Sequence, residues 1–577
     1  MLRLLPFLKQ YRIYVILGPA FKVIEAIFEL IVPVVTASMI DNGVRRGDLA
    51  YVWKMGGVLL ILGIVGLCST IVCQKMASIA SMGFGTAVRS RMYQHINSLS
   101  HAELDRLGTP SLITRLTNDV NQLQLAVALL IRLVIRAPFL AIGAVIAALL
   151  IDWKLGLILL VATPLIALIL YLIMSRSIPF YKKAQRKLDT ISQISREGLS
   201  GMRVVRAFSQ QQHEQQRFAR AANEQAETSV FVGKLTALLN PLTYVVMNLA
   251  VIAILWYGGY RVEDGSVTQG NMIAFVNYMT QTLLALIVVA NMVVNFTKAA
   301  ASAARVNEVL ATKPQVTSPQ PTAPVSPVAG APKITFSHVS FAYDITACQS
   351  ALHDLTVEIM PGETVGVIGG TGSGKSTVAS LIPRFYDATS GSILIDGIDV
   401  RQYPLSQLRG QIGVVPQRAV LFSGTIESNL KWGNPNATEE DLVRALSIAQ
   451  AQEFVSALPQ GLKTPVRQGG TNFSGGQRQR LTIARALTGC PQILILDDSA
   501  SALDYATDAK LRAALAGQTQ GMTVLIVSQR ANSIRQADKI IVLDAGRVMG
   551  IGTHQQLVQT CPVYREICLT QMRPEEL

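Results

Sequence analysis

The 577 residues would suffice for three or four globular domains, yet 50% are hydrophobic and only 15% charged, too oily a balance for an ordinary soluble chain. The formal net charge is +14, and the whole excess precedes residue 333: residues 1–332 hold 30 basic and 16 acidic side chains, residues 333–577 hold 21 of each. A basic surplus confined to the apolar half fits loops at one face of a lipid bilayer and argues against nucleic acid as a partner.

The N-terminus carries Arg3, Lys9 and Arg12 before a long apolar stretch with no short core and small-residue cleavage site, so the first span is expected to be retained. That span, Ile13–Ile40, is interrupted by Lys22, Glu25 and Glu29. Charge-free runs then follow at Met55–Gln74, Ala137–Ile151, Leu155–Ser175, Leu235–Tyr260 and Gly265–Thr297, most of them near or above the ~20 residues a helix needs to cross hydrocarbon. Six spans are predicted.

Connections alternate between short (Asp41–Lys54, Asp152–Lys154, Arg261–Asp264) and long polar ones with helical periodicity (Lys75–Arg136, Arg176–Lys234). The long ones contain 7 and 11 Lys+Arg, which puts them, the N-terminus and the C-terminal half on the cytoplasmic side of a cell (inner) membrane. Lys22, Glu25, Glu29, Arg132 and Arg136 are ionisable groups within apolar segments, where they either line an aqueous cavity or pair between helices. Pro19, Pro33, Pro138, Pro164 and Pro241 are expected to kink helices. The six cysteines, Cys68, Cys73, Cys348, Cys490, Cys561 and Cys568, have no C-x-x-C spacing and read as reduced structural thiols.

Six prolines between Ala311 and Pro332 mark an extended linker, giving domains at 1–310 and 333–577 on either side of residues 311–332. Beyond it, short apolar runs at Thr364–Ile368, Ile393–Ile395, Gly413–Val415, Ile493–Leu496 and Thr523–Val527 alternate with helical segments, the pattern of an α/β domain with a mainly parallel sheet.

The strongest local signal is Gly369-Gly370-Thr371-Gly372-Ser373-Gly374-Lys375-Ser376, followed by Thr377, directly after the strand Thr364–Ile368. This is a P-loop: glycines let backbone N–H groups turn inward around phosphate oxygens, Lys375 brings a point charge to the β- and γ-phosphates, and Ser376 offers a hydroxyl to Mg²⁺. The apolar run Ile493–Leu496 ends in Asp497, a second candidate Mg²⁺ ligand. Tyr343 is a candidate to stack on an adenine ring, although a core tyrosine is equally common.

Asn472-Phe473-Ser474-Gly475-Gly476-Gln477 lies between the P-loop and Asp497, Gln417 follows Val415-Pro416, and Ser501-Ala502-Leu503-Asp504 follows the Asp497 strand. Together these resemble the ATP-binding-cassette domain, and six spans with long loops on the same chain resemble the half-transporters of the ABC exporter family. The resemblance covers essentially the whole chain. It implies ATP and Mg²⁺ as cofactors and a dimer closing head-to-tail over two ATP molecules. Ser474, Gly475, Gly476, Gln477 and Asp504 would then face a nucleotide site, and Gln417 would sense Mg²⁺ and the γ-phosphate next to the surface on which the long loops dock. In that family short helices of the long loops dock on the cassettes, and Pro110–Gln124 and Gly201–Arg217 are the candidates.

The chain departs from the family pattern at two hydrolytic positions. Asp498 stands where most active cassettes carry a glutamate that polarises the attacking water, and Gln529 where they carry a histidine. Asp is shorter by about 1.5 Å of reach, and a misplacement near 1 Å can cost ~10²-fold in rate. Gln529 can donate a hydrogen bond but cannot carry imidazolium charge. Arg467-Gln468 also replaces the Gly-Glu usual in a related exporter loop. The combination looks like the degenerate-site half of bacterial heterodimeric multidrug exporters. It implies a partner half-transporter, a small hydrophobic or amphipathic substrate, and a slow site in this chain. The alternatives are a homodimeric lipid or drug flippase and a non-transporting, ATP-sensing regulatory or channel subunit.

Overall fold

The computed structural model describes residues 2–319, 326–343, 350–518 and 521–573. Parts of the predicted linker, and Cys348, lie outside these described residues. The chain separates into two units, one of Met1–Asn97 and Thr109–Thr312, the other of Ser98–Gly108 and Lys313–Leu577.

The first unit is wholly helical, and six of its helical stretches are long and apolar enough to cross a membrane: Arg3–Val44, Leu49–Ser98, Thr109–Ile151, Trp153–Ser200, Gln211–Glu263 and Gln269–Ala311. At 42 to 53 residues each, they exceed the ~20 that hydrocarbon requires and continue as polar helices beyond it. The unit therefore has the architecture predicted from the charge-free runs, with the sixth helix starting at Gln269 and not at Gly265.

Buried alanines and glycines let these helices approach closely, as with Ala144, Ala148 and Ala274 in the cluster that holds Phe275 and Tyr278. A Cβ at Gly258 would fall 2.2 Å from the Met272 side chain, and one at Gly270 2.2 Å from the Ala37 carbonyl oxygen. The turn between the third and fourth spans is fixed by Asp152. Its carboxylate accepts the Lys154 and Leu155 backbone N–H groups at 3.0 and 2.9 Å and pairs with Arg261 at 2.6 Å.

The prolines divide into two groups. Pro19, Pro33, Pro164 and also Pro179 lie inside helices, where each removes one backbone hydrogen bond. Pro138 and Pro241 lie within the spans Thr109–Ile151 and Gln211–Glu263, and the helix is interrupted at Ile135 and Leu238, three residues before each proline, so that Arg136–Ile151 and Leu239–Glu263 start anew there.

The intramembrane charges pair with one another. Lys22 donates to Glu25, and Arg136 reaches Glu29 at 2.7 Å and Glu25 at 3.7 Å. Of the two readings the sequence allows, pairing is the one seen for these four groups, with Arg136 bridging between helices to Glu25 and Glu29 and Lys22 pairing with Glu25 on its own helix. Arg132, half-buried, sits in a π-helical turn, Leu130–Val134, one turn before Arg136.

The second unit is α/β. Its main sheet has six strands in the order Arg547–Gly552, Lys539–Asp544, Thr364–Gly369, Thr523–Val527, Ile493–Asp497, Ile412–Val415, parallel except at the Arg547–Gly552 edge. Buried on both faces, the central strands are continuous Val/Ile/Leu runs, as parallel sheets require. The predicted strand Ile393–Ile395 belongs elsewhere: Ser390–Ile395 pairs antiparallel with Ile334–Phe341 in a separate four-stranded sheet. Its apolar run alone carries no information on strand direction. The described cysteines Cys68, Cys73, Cys490, Cys561 and Cys568 are free thiols.

Candidate functional site

The P-loop connects the central strand Thr364–Gly369 to the helix Lys375–Leu381. Gly372 and Gly374 take φ of +80° and +96°, so the loop turns through backbone conformations that side-chain-bearing residues rarely adopt. A Cβ at Gly369 would lie 2.0 Å from the Leu543 carbonyl oxygen. Glycine there is a packing demand of the neighbouring strand.

Lys375 is buried, and its ammonium donates to the Gly369 and Gly370 carbonyls at 2.9 and 2.6 Å, so it lies within the curl of the loop. Burial pushes the lysine below its ordinary range, opposed by Asp498 and Asp497. The exposed Ser376 hydroxyl donates to Asp497 at 3.0 Å. Burial raises the Asp497 carboxyl above the usual carboxylate range, partly offset by the Ser376 hydrogen bond.

Two hard oxygen donors side by side suit Mg²⁺, which keeps water and takes phosphate oxygens to complete its shell. Among the described residues no cluster of three or more His, Cys, Asp or Glu side chains offers a cage for another metal.

Asp498 follows the strand end in a left-handed conformation, φ +46°, with its N–H donating to Val527 O at 2.9 Å. Its carboxylate accepts from Gln417 Nε2 at 3.4 Å, a long contact between two residues 81 positions apart. The structure thus brings Gln417, Asp497, Asp498, Ser376 and Lys375 to one end of the parallel sheet. Gln529 is exposed two residues after the adjacent strand Thr523–Val527, and its backbone carbonyl accepts from Gln571 at 2.8 Å.

Tyr343 is 57% exposed, and its hydroxyl is 3.2 Å from Thr377 Oγ1 on the P-loop helix. Its ring meets Phe341 edge-on at 4.8 Å and Tyr386 edge-on at 5.3 Å. Beside a phosphate-sized loop, an exposed ring anchored on two others can present a face to a base.

The peptide Ser474–Gln477 opens the helix Gly475–Thr488 with a capping box, in which Ser474 Oγ accepts the Gln477 N–H at 3.3 Å and the Gln477 side chain accepts the Ser474 N–H at 3.0 Å. Ser474 and Gly475 are exposed. The helix behind them is pinned by its arginines: Arg478 donates to Phe473 O at 2.9 Å, Arg480 to Gln450 O at 2.6 Å, and Arg485 to Val420 O at 3.1 Å. An open helix N-terminus fixed in this way favours an anion. Its capping hydroxyl is already committed to the helix. Asp504 caps the next helical turn, accepting from the N–H and hydroxyl of Thr507, each at 2.8 Å.

The segment Ser98–Gly108 was not foreseen at this site. Its helix His101–Leu107 starts with a Ser100/Glu103 capping box and packs on the second unit, where the His101 ring stacks on Phe385 at 4.4 Å. Tyr386 donates to Asp105 at 2.6 Å, and burial with that contact drives its hydroxyl pKa up. Asp105, Tyr386, Tyr343 and Thr377 therefore form an unbroken chain of contacts ending on the P-loop helix. The predicted docking segment Pro110–Gln124 belongs instead to the first unit and runs into the third span. In the second candidate segment, the helix Met202–Ala207 has no buried residue. Ser100-x-x-Glu103, a helix-start signal inside the long polar connection, was the sequence cue available.

Comparison with known proteins agrees with this arrangement. Residues 15–286 match the family of the ABC transporter transmembrane region and residues 352–501 the ABC transporter family. An uncharacterised ABC transporter ATP-binding protein of Mycobacterium tuberculosis is 39% identical over 569 residues, covering 98% of this chain and 97% of its own. The chain belongs to the ABC transporter family. Another relative, the uncharacterised ABC transporter ATP-binding protein YfiB of Bacillus subtilis, is 36% identical over 575 residues, 100% of this chain and 99% of the relative. The ATP-dependent lipid A-core flippase of Chromobacterium violaceum is 32% identical over 569 residues, 98% and 96% of the two chains. In fold, the chain is similar to a bacterial Atm1-family ABC exporter solved with ATP bound, with a TM-score of 0.78 at 24% identity over 98% of each chain. This ABC transporter is accordingly a multi-pass membrane protein with an ATPase domain on the same chain.

Proposed function

We propose that this chain is one half of a heterodimeric ATP-driven exporter, in which its own nucleotide site binds ATP and hydrolyses it slowly while its Ser474–Gln477 peptide completes a competent site on the partner. The observation that carries the reading is an asymmetry within one cassette: the P-loop and the Ser474–Gln477 helix start are complete, while Asp498 and Gln529 occupy the hydrolytic positions.

In this reading Gly369–Thr377 wraps the phosphates and Tyr343 stacks on the base. Ser376, Asp497 and Gln417 hold Mg²⁺, whose charge neutralises the phosphates. Asp498 orients the water for in-line attack but, anchored by its N–H to Val527 O, holds its carboxylate short of where a glutamate would place it. Gln529 contributes a neutral hydrogen bond. Asp504 holds the loop beside the nucleotide shared with the partner.

The N-terminus, the long connections and the ATPase domain are cytoplasmic, the 311–332 segment joins the two domains, and the spans lie in the cell membrane. ATP favours the closed cassette pair over the open one, and that differential affinity turns the spans outward. The substrate is a hydrophobic or amphipathic molecule.

Nucleotide occlusion tests the proposal. In the reconstituted pair during turnover, photo-crosslinkable ATP should remain as triphosphate on this chain and be recovered as diphosphate on the partner. Equal conversion on both chains would sink it. A homodimeric flippase is the second reading, favoured by relatives named lipid A-core flippases at 31–33% identity. It requires the chain alone to move lipid between leaflets in an ATP-dependent manner.

A further inference from the structure

The segment that carries Gln529 is fixed from behind. Gln571 spans it, donating to the Gln529 carbonyl at 2.8 Å and accepting the Ala531 N–H at 2.8 Å. Between them, the Arg530 N–H donates to Oγ of the buried Ser528 at 2.9 Å. With a hydrogen bond on each of three consecutive residues, the backbone of 529–531 is a rigid base for the Arg530 side chain.

That side chain leaves its own segment and reaches the turn that follows Asp498. Its Nη2 donates to the Ser501 carbonyl at 3.4 Å, a long contact, and its guanidinium lies over the Tyr505 ring, 5.0 Å from the centroid. Ser501 in turn holds Asp498: its N–H and its hydroxyl donate to the Asp498 carbonyl at 3.2 and 2.8 Å. Contacts therefore run from Gln529 through Arg530 and Ser501 to Asp498, joining the two positions where the chain departs from the family pattern.

Charge pairing does not account for this placement. Among the described residues Arg530 forms no ion pair, and its Nη1 is buried without a partner. What the guanidinium supplies is shape, a plane that covers an aromatic face while its edge donates to a carbonyl, and an ammonium group lacks that plane. Tyr505 is 71% exposed at the start of the helix Tyr505–Gln518, where a ring contributes little to core packing. The turn itself needs a hold. Asp498 stands at φ +46°, in the left-handed region that residues other than glycine rarely adopt, and from Ser501 to Tyr505 only Leu503 is buried.

We propose that Arg530 is a positioning residue for hydrolysis: by tying the turn Asp498–Tyr505 to the fixed Gln529 segment, it sets where the Asp498 carboxylate stands relative to the attacking water. The inference rests on the reading above in which Asp498 orients that water, and it adds a residue that acts through Asp498. Asp498 and Gln529 are then mechanically one unit, although they belong to different strand ends.

The test is a double-mutant cycle on the reconstituted pair in lipid nanodiscs, with the partner disabled at its own hydrolytic site so that phosphate release reports this chain. It is run with native Asp498 and repeated with Asp498→Glu, across ATP concentrations that give kcat and KM. Arg530→Lys, which keeps the charge and loses the plane, and Tyr505→Leu should each lower kcat about fivefold, the worth of one exposed cation–π contact. The double variant should also fall about fivefold, because both changes break one contact, where independent sites would give ~25-fold. KM for ATP and the melting temperature should hold, and Tyr505→Phe, which keeps the ring, should restore the rate lost in Tyr505→Leu. Unchanged kcat in Tyr505→Leu, a multiplicative double variant, a rise in KM that accounts for the loss, or no release in either background would each overturn the proposal. Tyr505 is at the surface, so Tyr505→Leu against Tyr505→Phe decides the matter if Arg530→Lys does not fold. Equal conversion of ATP on both chains with the coupling intact would end the slow-site reading and leave Arg530 its role. Asymmetric conversion without the coupling would end that role and leave the slow-site reading.

Discussion

Asp498→Glu is the most informative single perturbation. The Asp498 backbone is held by its N–H to Val527 O at 2.9 Å, so the extra carbon must go into reach, about 1.5 Å toward the water position beyond Gln417. The present carboxylate meets Gln417 Nε2 only at 3.4 Å, at the long limit of a hydrogen bond. Recovering a misplacement of about 1 Å is worth up to ~10²-fold, or about 2.7 kcal/mol of barrier.

Against this stands the backbone. Asp498 sits at φ +46°, where aspartate is better tolerated than glutamate, and the exchange costs about 1 kcal/mol of local strain. The catalytic gain is the larger figure, so turnover at this site should rise between ~10- and ~10²-fold. The assay pairs the variant with a partner half-transporter disabled at its own hydrolytic site, so that residual phosphate release reports this chain alone. Gln529→His added to Asp498→Glu should raise it further. Unchanged release in the double variant, with ATP still bound, would refute the reasoning.

Gly475→Ala probes the helix start from the other side. An added Cβ meets nothing within 4 Å in this chain, so melting temperature and ATP binding should match wild type while hydrolysis by the pair falls ~10²-fold through crowding of the partner's nucleotide. Asp497 is raised by burial, so it takes up its proton on acidification before an ordinary aspartate does. Mg²⁺-dependent ATP binding should therefore weaken as pH falls, beginning above the usual carboxylate range, and Asp497→Asn should remove that dependence in a titration against pH. Tyr386→Phe deletes the hydrogen bond to Asp105 and leaves the ring contact with Tyr343. ATP affinity should hold while substrate-stimulated hydrolysis drops several-fold, by about 1 kcal/mol of coupling. Arg136→Ala leaves Glu25 and Glu29 without their shared partner and should cost about 2 kcal/mol, below the ~3–5 of fully buried pairs, read as a lowered melting temperature in detergent and recovered by Glu29→Gln.

Much of this molecule was legible in the sequence because its strongest signals are local. A charge-free run reports a span by itself, since hydrocarbon tolerates little else. Gly369–Ser376 carries its meaning in glycine backbone freedom and one lysine, and Asp497 in its place at the end of an apolar strand.

What was not legible depends on pairing between distant segments. Ile393–Ile395 reads as one more buried strand, and only its registry with Ile334–Phe341 assigns it to the antiparallel sheet. The docking of His101 on Phe385 joins residues far apart in the chain, and its local trace is a capping box in a connection whose helical periodicity points equally to Pro110–Gln124. Lys22, Glu25, Glu29 and Arg136 fit a cavity or a network equally well until helices are packed against one another.

Hydrolytic asymmetry is read most directly from ATP hydrolysis in lipid nanodiscs by this chain alone and by this chain with a partner half-transporter. Near silence from the chain alone and sustained turnover from the pair are expected. Hydrolysis by the chain alone at the rate of the pair would contradict it.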